Sequence, residues 1–502
     1  MSINYIPNDP MAGASAPPTR RKSPRANRPS SRATFQFFDA EPEGLASPGT
    51  PQFLFWQARE AALTTLTAWE TANGSSFLRW QGNRKTIPFV QNAVVQLGAP
   101  PTPNAFYDRA SFQFFESTAG NKTTFSGEST DVVAHEVGHG LLDAIRPQLI
   151  QAPLLEVGAF HEAFGDCVAL ITAFLDSKSR TAVRASIGSR NFLETTAEDL
   201  SDAIRRLQAN HNAAEPRHAK NNLQWVLPTT LPANGGPGVL INEEHSFARI
   251  FSGSFYDLIL KLAGSSPSVS AIRTATIKAT RLLVAGAAAA PIGARFFQAI
   301  GRAMVMADDS TNNGANRESI KAAFAGHGVL LGTSAMMSPV VALAGAQPVV
   351  TAKRAGLSSS ARRDLVERMG AGRGARLAVH PLDIGEERVA HATVTRDVSV
   401  GALHPSLKGV VVPVTNSVLI GASGGRAAVL GSVPNVDTTT DEVLSFVESL
   451  VKNKRIETKP PKHVPKRHRV EAMTPYTHEI IRIGRRRELR RRAFACGCCF
   501  GN

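Results

Sequence analysis

Residues Asp131–Ile145, DVVAHEVGHGLLDAI, set two histidines four positions apart around a glutamate in an apolar, helix-prone stretch. On an α-helix, positions i and i+4 lie one turn apart on the same face. His135 and His139 can therefore aim imidazole nitrogens at one Zn2+, while Glu136 faces the same open coordination position. With 13 histidines among 502 residues, this spacing arises by chance in about 2 of every 100 such chains. The pattern therefore calls for a third ligand before it means a catalytic metal site.

A glycine and a third histidine immediately downstream are absent, because the helix pattern runs on through Leu141, Leu142 and Asp143. The next apolar segment, EVGAFHEAFGDCVALITAFLD, carries Glu162 and Asp166, again four apart and so on one face. Glu162 can complete the metal site with a carboxylate oxygen. Asp166 can accept the free ring N–H of a ligand histidine, fixing its tautomer and raising its basicity. His161 is the competing third ligand, but as the neighbour of Glu162 it points about 100° away around the helix. Two helices clamping one ion is the expected arrangement.

Outward from this pair, residues 35–130 mix one helical pattern with short strand-like runs, an α+β lobe. Residues 131–332 are dominated by helical periodicity and end on RESIKAAFAGHGV, a second, mainly helical lobe. An Ala/Ser/Pro-rich passage, 333–352, reads as a linker, and residues 353–454 alternate helix and strand patterns as a small α/β domain. Charge divides the same way. Residues 1–34 carry six Lys/Arg against one acid and residues 451–502 fifteen against four, which leaves the middle of a +15 chain nearly neutral. Residues 1–34 and 455–502 are thus expected to be disordered, a basic arm and a basic tail.

No apolar stretch precedes the arginines of the arm, so no secretory signal is expected, and no run reaches membrane-spanning length; the expected location is cytoplasmic. Four cysteines, three of them in the CGCC stretch (Cys496, Cys498, Cys499), imply no disulfide framework. The basic tail has little aromatic interleaving and no nucleic-acid-binding fold around it. Contact with anionic surfaces is expected of it, and specific nucleic-acid recognition is not.

The zinc segments, together with NAFYDRASFQFF before them and EEHSFARIFSGSFYDLI after, resemble the thermolysin-like, M4-type gluzincin metallopeptidases over most of residues 100–331. The resemblance implies a two-lobed α+β zincin, followed here by the small α/β domain and the basic tail. It implies an edge strand at Asn104 and Ala105 that pairs with substrate backbone, and His245 as the residue that stabilises the tetrahedral intermediate, with Tyr256 trailing it. Asp131 matches a calcium-ligand position of that family, but the rest of its acidic calcium cluster is not recognisable. The family's tyrosine between the two zinc helices has no counterpart, and its acidic partner before the later histidine falls at Leu240, with Glu243 and Glu244 the nearest substitutes.

The expected activity is hydrolysis of peptide or protein substrates by a zinc-activated water, with Glu136 as general base and His245 as oxyanion donor. The alternative is a catalytically weak or inactive scaffold of the same fold that acts by binding. The intact Glu136 argues for the enzyme.

Overall fold

Local side-chain chemistry sets where several of the helices begin. The structure, a computed structural model, describes residues 2–11, 19–93, 103–332, 357–372, 377–384, 387–423, 426–429, 436–458, 476–492 and 494–495. Strands β1 (Ile3–Tyr5) and β2 (Arg20–Lys22) form an antiparallel ribbon, followed by β3 (Thr34–Phe37) and helix α1 (Pro51–Asn73). Pro51 suits the first turn of α1, the Thr50 hydroxyl accepts the Phe53 N–H, and Gly74 at φ +80° ends it. Strands β4 (Thr86–Val90), β5 (Ala105–Tyr107) and β6 (Phe112–Phe114) come next, then a hairpin of β7 (Glu116–Ala119) and β8 (Lys122–Phe125). Helix α2 (Thr130–Ile145) starts at Ser129, whose side chain accepts the Val132 N–H.

Helix α3 (Leu155–Leu175) lies at the centre of the helical region. It is long and apolar enough to cross a membrane by length and composition, yet it is wholly buried inside the protein, as expected of a helix apolar on every side. After it come α4 (Ser177–Val183), the short strand β9 (Thr195–Thr196), α5 (Glu198–Leu207) and β10 (Arg217–His218), which pairs with β9. Helices α6 (Glu244–Ala263), α7 (Val269–Ala289), α8 (Phe296–Asn312) and α9 (Arg317–Ala325) complete the region.

Further along are α10 (Ser359–Arg368), β11 (Leu377–Ile384), β12 (Glu387–Ser399), β13 (Val410–Ser423), β14 (Arg426–Val429) and α11 (Val436–Lys452). The last strands are β15 (Ile456–Glu457), β16 (His478–Ile483), β17 (Arg486–Arg491) and β18 (Phe494–Ala495). One seven-stranded sheet has the order β11-β12-β13-β17-β16-β15, with β14 on β13. A five-stranded sheet has the order β18-β5-β6-β4-β3. The fold is mixed α+β, as expected, with its helices around α3 and several separate sheets.

Three expectations about the ends are corrected. The arm 1–34 is folded where it is described. Ile6 exchanges hydrogen bonds with the buried amide of Gln57, and the arm's cations pair with distant acids: Lys22 and Arg25 with Glu60 and Arg28 and Arg32 with Glu70, both on α1, and Arg20 with Asp176, between α3 and α4. Its composition reads as solvated because those partners are distant in sequence. The tail 455–502 likewise contributes β15 to β18. Its arginines also find carboxylates, Arg492 with Glu457 and Arg486 with Asp397 and Glu488. Because β15 to β17 belong to the same sheet as β11 to β14, the boundary at 454/455 cuts a sheet in two.

One hydrophobic core runs from Tyr5 through α2, α3 and α6 to Phe494. A smaller one lies between α10 and the strands β12 and β13. The proposed linker 333–352, the stretch KPPKHVPKRHR and the CGCC cysteines fall outside the described residues.

Candidate active site

Helices α2 and α3 approach closely because glycine stands at the contact on both. A Cβ on Gly138 would lie 2.8 Å from Gly165 Cα, and one on Gly165 would lie 2.7 Å from the His135 ring. Backbone thus meets backbone, and the polar residues of both helices come together in the interior. His135, Glu136, His139, His161 and Glu162 are all fully buried.

The Glu162 carboxylate sits between the two histidines of α2. Its Oε2 is 3.1 Å from His135 Nε2, and its Oε1 is 3.8 Å from His139 Nε2. Tetrahedral ligands bonded to zinc at about 2.0–2.1 Å lie about 3.3 Å from one another, and the two separations bracket that value. His161 meets His139 on the other side of its ring, Nδ1 to Nδ1 at 2.8 Å. Glu162, not His161, is therefore the residue that shares the space faced by both Nε2 atoms.

His139 Nε2, Glu162 Oε1 and both carboxylate oxygens of Glu136 are buried with no hydrogen-bond partner. Buried polar atoms are almost always paired, so unpartnered donor atoms converging on one point fit a cation bound there. His135, Glu136 and His139 form one of two groups among the described residues that could hold a metal.

Asp166 holds His135 from behind. Its Oδ1 is 2.9 Å from His135 Nδ1 and accepts Arg217 Nε at 3.0 Å, and its Oδ2 accepts the Ser252 hydroxyl at 3.0 Å. Burial would raise its carboxyl, but the Arg217 charge and the His135 hydrogen bond outweigh burial and hold it well below the usual carboxylate range. Burial opposes the His135 cation, and the hydrogen bonds to Asp166 and Glu162 outweigh it, holding the imidazole up to about 9. Burial pushes Glu136 up to about 8, against the pull of His135. Burial and the neighbouring cations push His139 well down.

His245 enters from the first turn of α6. Its Nε2 is 3.1 Å from Glu162 Oε2, and its Nδ1 is 2.6 Å from Glu243 Oε1. Glu243 also caps α6 by accepting the Ser246 N–H. Burial lowers His245, but the charges of Glu162 and Glu243 prevail and hold it up to about 9. Tyr256 is elsewhere: its hydroxyl donates to Ile187 O at 2.7 Å. Asn104 and Ala105 are buried at the start of β5, where the Asn104 carbonyl accepts the Ser126 hydroxyl at 2.7 Å. Asp131 joins Asp9 and Glu198 in the second group that could hold a metal; Asp9 Oδ2 and Glu198 Oε2 there are buried without partners.

Four residues at the site lay beyond sequence reasoning. Arg217 sits in a polar insert, EPRHAKNN, with no spacing that ties it to helices α2 and α3. Ser252 has an ordinary helical setting. Arg491 and Phe494, in the basic tail, reach the site from more than 200 residues away. The Phe494 ring stacks on His161 and His139 at centroid distances of 4.1 and 5.0 Å.

The family model described as Fungalysin metallopeptidase (M36) matches residues 46–335. It names fungalysins, not the M4-type family of the sequence resemblance, within the same gluzincin class. No curated protein matches the chain.

Proposed function

The chain belongs to the fungalysin metallopeptidase family (M36), a family of zinc metalloproteases, and from that membership we propose that His135, His139 and Glu162 hold its zinc while Glu136 serves as general base. The observation that carries this reading is the convergence of His135 Nε2, His139 Nε2 and the Glu162 carboxylate beside the unpartnered carboxylate of Glu136. Zinc-dependent hydrolysis of peptide or protein substrates is the activity of the enzyme. A bound zinc supplies a water of lowered pKa and a polarised carbonyl.

The chain's own residues do the rest. Asp166, fixed by Arg217 and Ser252, sets the His135 tautomer so that Nε2 faces the site. Glu136 accepts a proton from the attacking water and returns it to the leaving amine. His245, held by Glu243, donates a hydrogen bond to the oxyanion as charge develops, a contribution of about 2.7–4 kcal/mol for one such donor. Asn104 and Ala105 bind substrate backbone along β5. The carboxylates of Asp9, Asp131 and Glu198 are the place we propose for a calcium ion, a hard cation suited to oxygen ligands. A non-catalytic scaffold is not favoured, because the proton acceptor and the residues that orient His135 are all in place.

The test is casein digestion with and without chelator, beside zinc analysis of Glu136→Gln. We expect chelator-sensitive digestion, and a variant that keeps its zinc and loses activity. A Glu136→Gln protein that digests at the wild-type rate refutes the assignment.

A further inference from the structure

The edge of β5 that would receive a substrate strand is already occupied. Strand β18 pairs with it antiparallel, Phe494 opposite Tyr107 and Ala495 opposite Phe106. The other edge of β5 is taken by β6, so β18 sits on the only side left for an added strand. Two side chains anchor it. Phe494 is 1% exposed and lies almost flat on His161 and His139, with ring planes 17° and 20° apart. Arg491 forms a buried two-point ion pair with Glu244, the residue before His245, with Nη1 2.8 Å from Oε2. Its guanidinium also lies 4.2 Å from the centre of the Phe494 ring.

Glu244 reaches this place only because α3 has a glycine there: a Cβ on Gly158 would stand 1.8 Å from Glu244 Oε1. Between the strand, Glu162, His245, Phe446 and Thr477 there remains a cavity of about 30 Å³, room for one or two waters. Glu136 has no exposed surface. A peptide cannot reach these residues while β18 is in place.

Extended backbone added to an exposed sheet edge, with side chains held in pockets, is one way a protein takes a peptide ligand. The two anchors here have the chemistry of such a ligand: an arginine at the end of β17 paired bidentately with a buried carboxylate, and three residues on, in β18, an aromatic ring. The segment lies outside the residues matched by the family model. We propose that β18, anchored by Phe494 and by Arg491 at the end of β17, is the resident occupant of the substrate groove, a built-in pseudosubstrate that keeps the enzyme latent, and that the groove takes peptides with arginine three residues before an aromatic residue. The inference rests on the active site assigned above.

Full-length protein carrying Phe494→Ala or Arg491→Ala tests it, with zinc content and melting temperature confirming a folded site. Two variants are used so that either one alone suffices should the other not fold. Two readouts separate this inference from the assigned activity. The first is hydrolysis of a fluorogenic peptide containing Arg-Arg-Ala-Phe-Ala, expected to rise at least ten-fold over wild type. The second is anisotropy of the dye-labelled peptide Arg-Arg-Ala-Phe-Ala in a Glu136→Gln background, where turnover is not required. Binding is expected to tighten at least ten-fold when either anchor is removed, and Glu-Glu-Ala-Phe-Ala should bind at least ten-fold more weakly. Equal binding to the Glu136→Gln chain with and without the anchors overturns the latency, even if every form is an active peptidase. Equal binding of the two probes overturns the arginine preference. Tightened binding without hydrolysis in any form supports the occupied groove and instead removes the assigned catalytic activity.

Discussion

Replacing Gly165 by alanine puts the metal site and the helix contact to the same test. The new methyl would stand 2.7 Å from both Cε1 and Nδ1 of His135, whereas nonbonded carbons rest at about 3.5–4.0 Å, so the overlap is roughly 1 Å. The ring cannot simply turn away, because its Nδ1 is held by Asp166 at 2.9 Å and its Nε2 lies 3.1 Å from Glu162. Helices α2 and α3 must part instead, which costs about 1–3 kcal/mol, the usual range for overpacking a core. His135 is displaced with them, and zinc affinity should fall by about 10–100-fold, the range seen when a ligand's support is disturbed. Thermal unfolding of the chelated protein reads the first effect, and competitive zinc titration reads the second. Gly188→Ala is the control, since nothing lies within 4 Å of its added methyl. A Gly165→Ala protein with wild-type melting temperature and zinc affinity would refute the argument that glycine is what lets the two ligand helices meet.

Glu162→Ala should lose most of its zinc, and His161→Ala should keep it; metal analysis in the reverse order moves the third ligand to His161. Burial pushes Glu128 up to about 7, so its neutral form is favoured in the folded state. The stability this group contributes is therefore complete below about pH 4.5 and is lost as pH rises through 7, a loss of about 3 kcal/mol. Glu128→Gln keeps an acceptor for the Gly49 N–H and should be more stable than wild type at pH 8.5 by denaturant unfolding, with the gap closing near pH 5; a pH-independent difference refutes this. Millimolar calcium should raise the melting temperature through Asp9, Asp131 and Glu198. Asp9→Asn should remove most of that rise, and an undiminished rise excludes Asp9 as a ligand.

What the chain's letters determined by themselves is the chemistry that depends on short spacing. Helical periodicity places residues four apart on one face whatever surrounds them, so the pairs His135/His139 and Glu162/Asp166 could be read in advance. Spacing also put His161 around the helix from Glu162, and in the structure it meets His139 on the opposite ring nitrogen. Tertiary structure alone decided which distant residues join these pairs. Arg217 and Ser252 close the shell around Asp166 because β10 and α6 lie against α3, a placement no periodicity encodes. The same limit explains the ends of the chain. A run of arginines reads as solvated until the fold brings Glu60, Glu70 and Glu244 to meet it, because the free energy of a charged side chain depends on partners that composition cannot locate. The seat of Phe494 on His161 and His139 is the extreme case: a ring stacked on His139, more than 350 residues earlier, is a property of the closed sheet edge, and only the folded chain contains it.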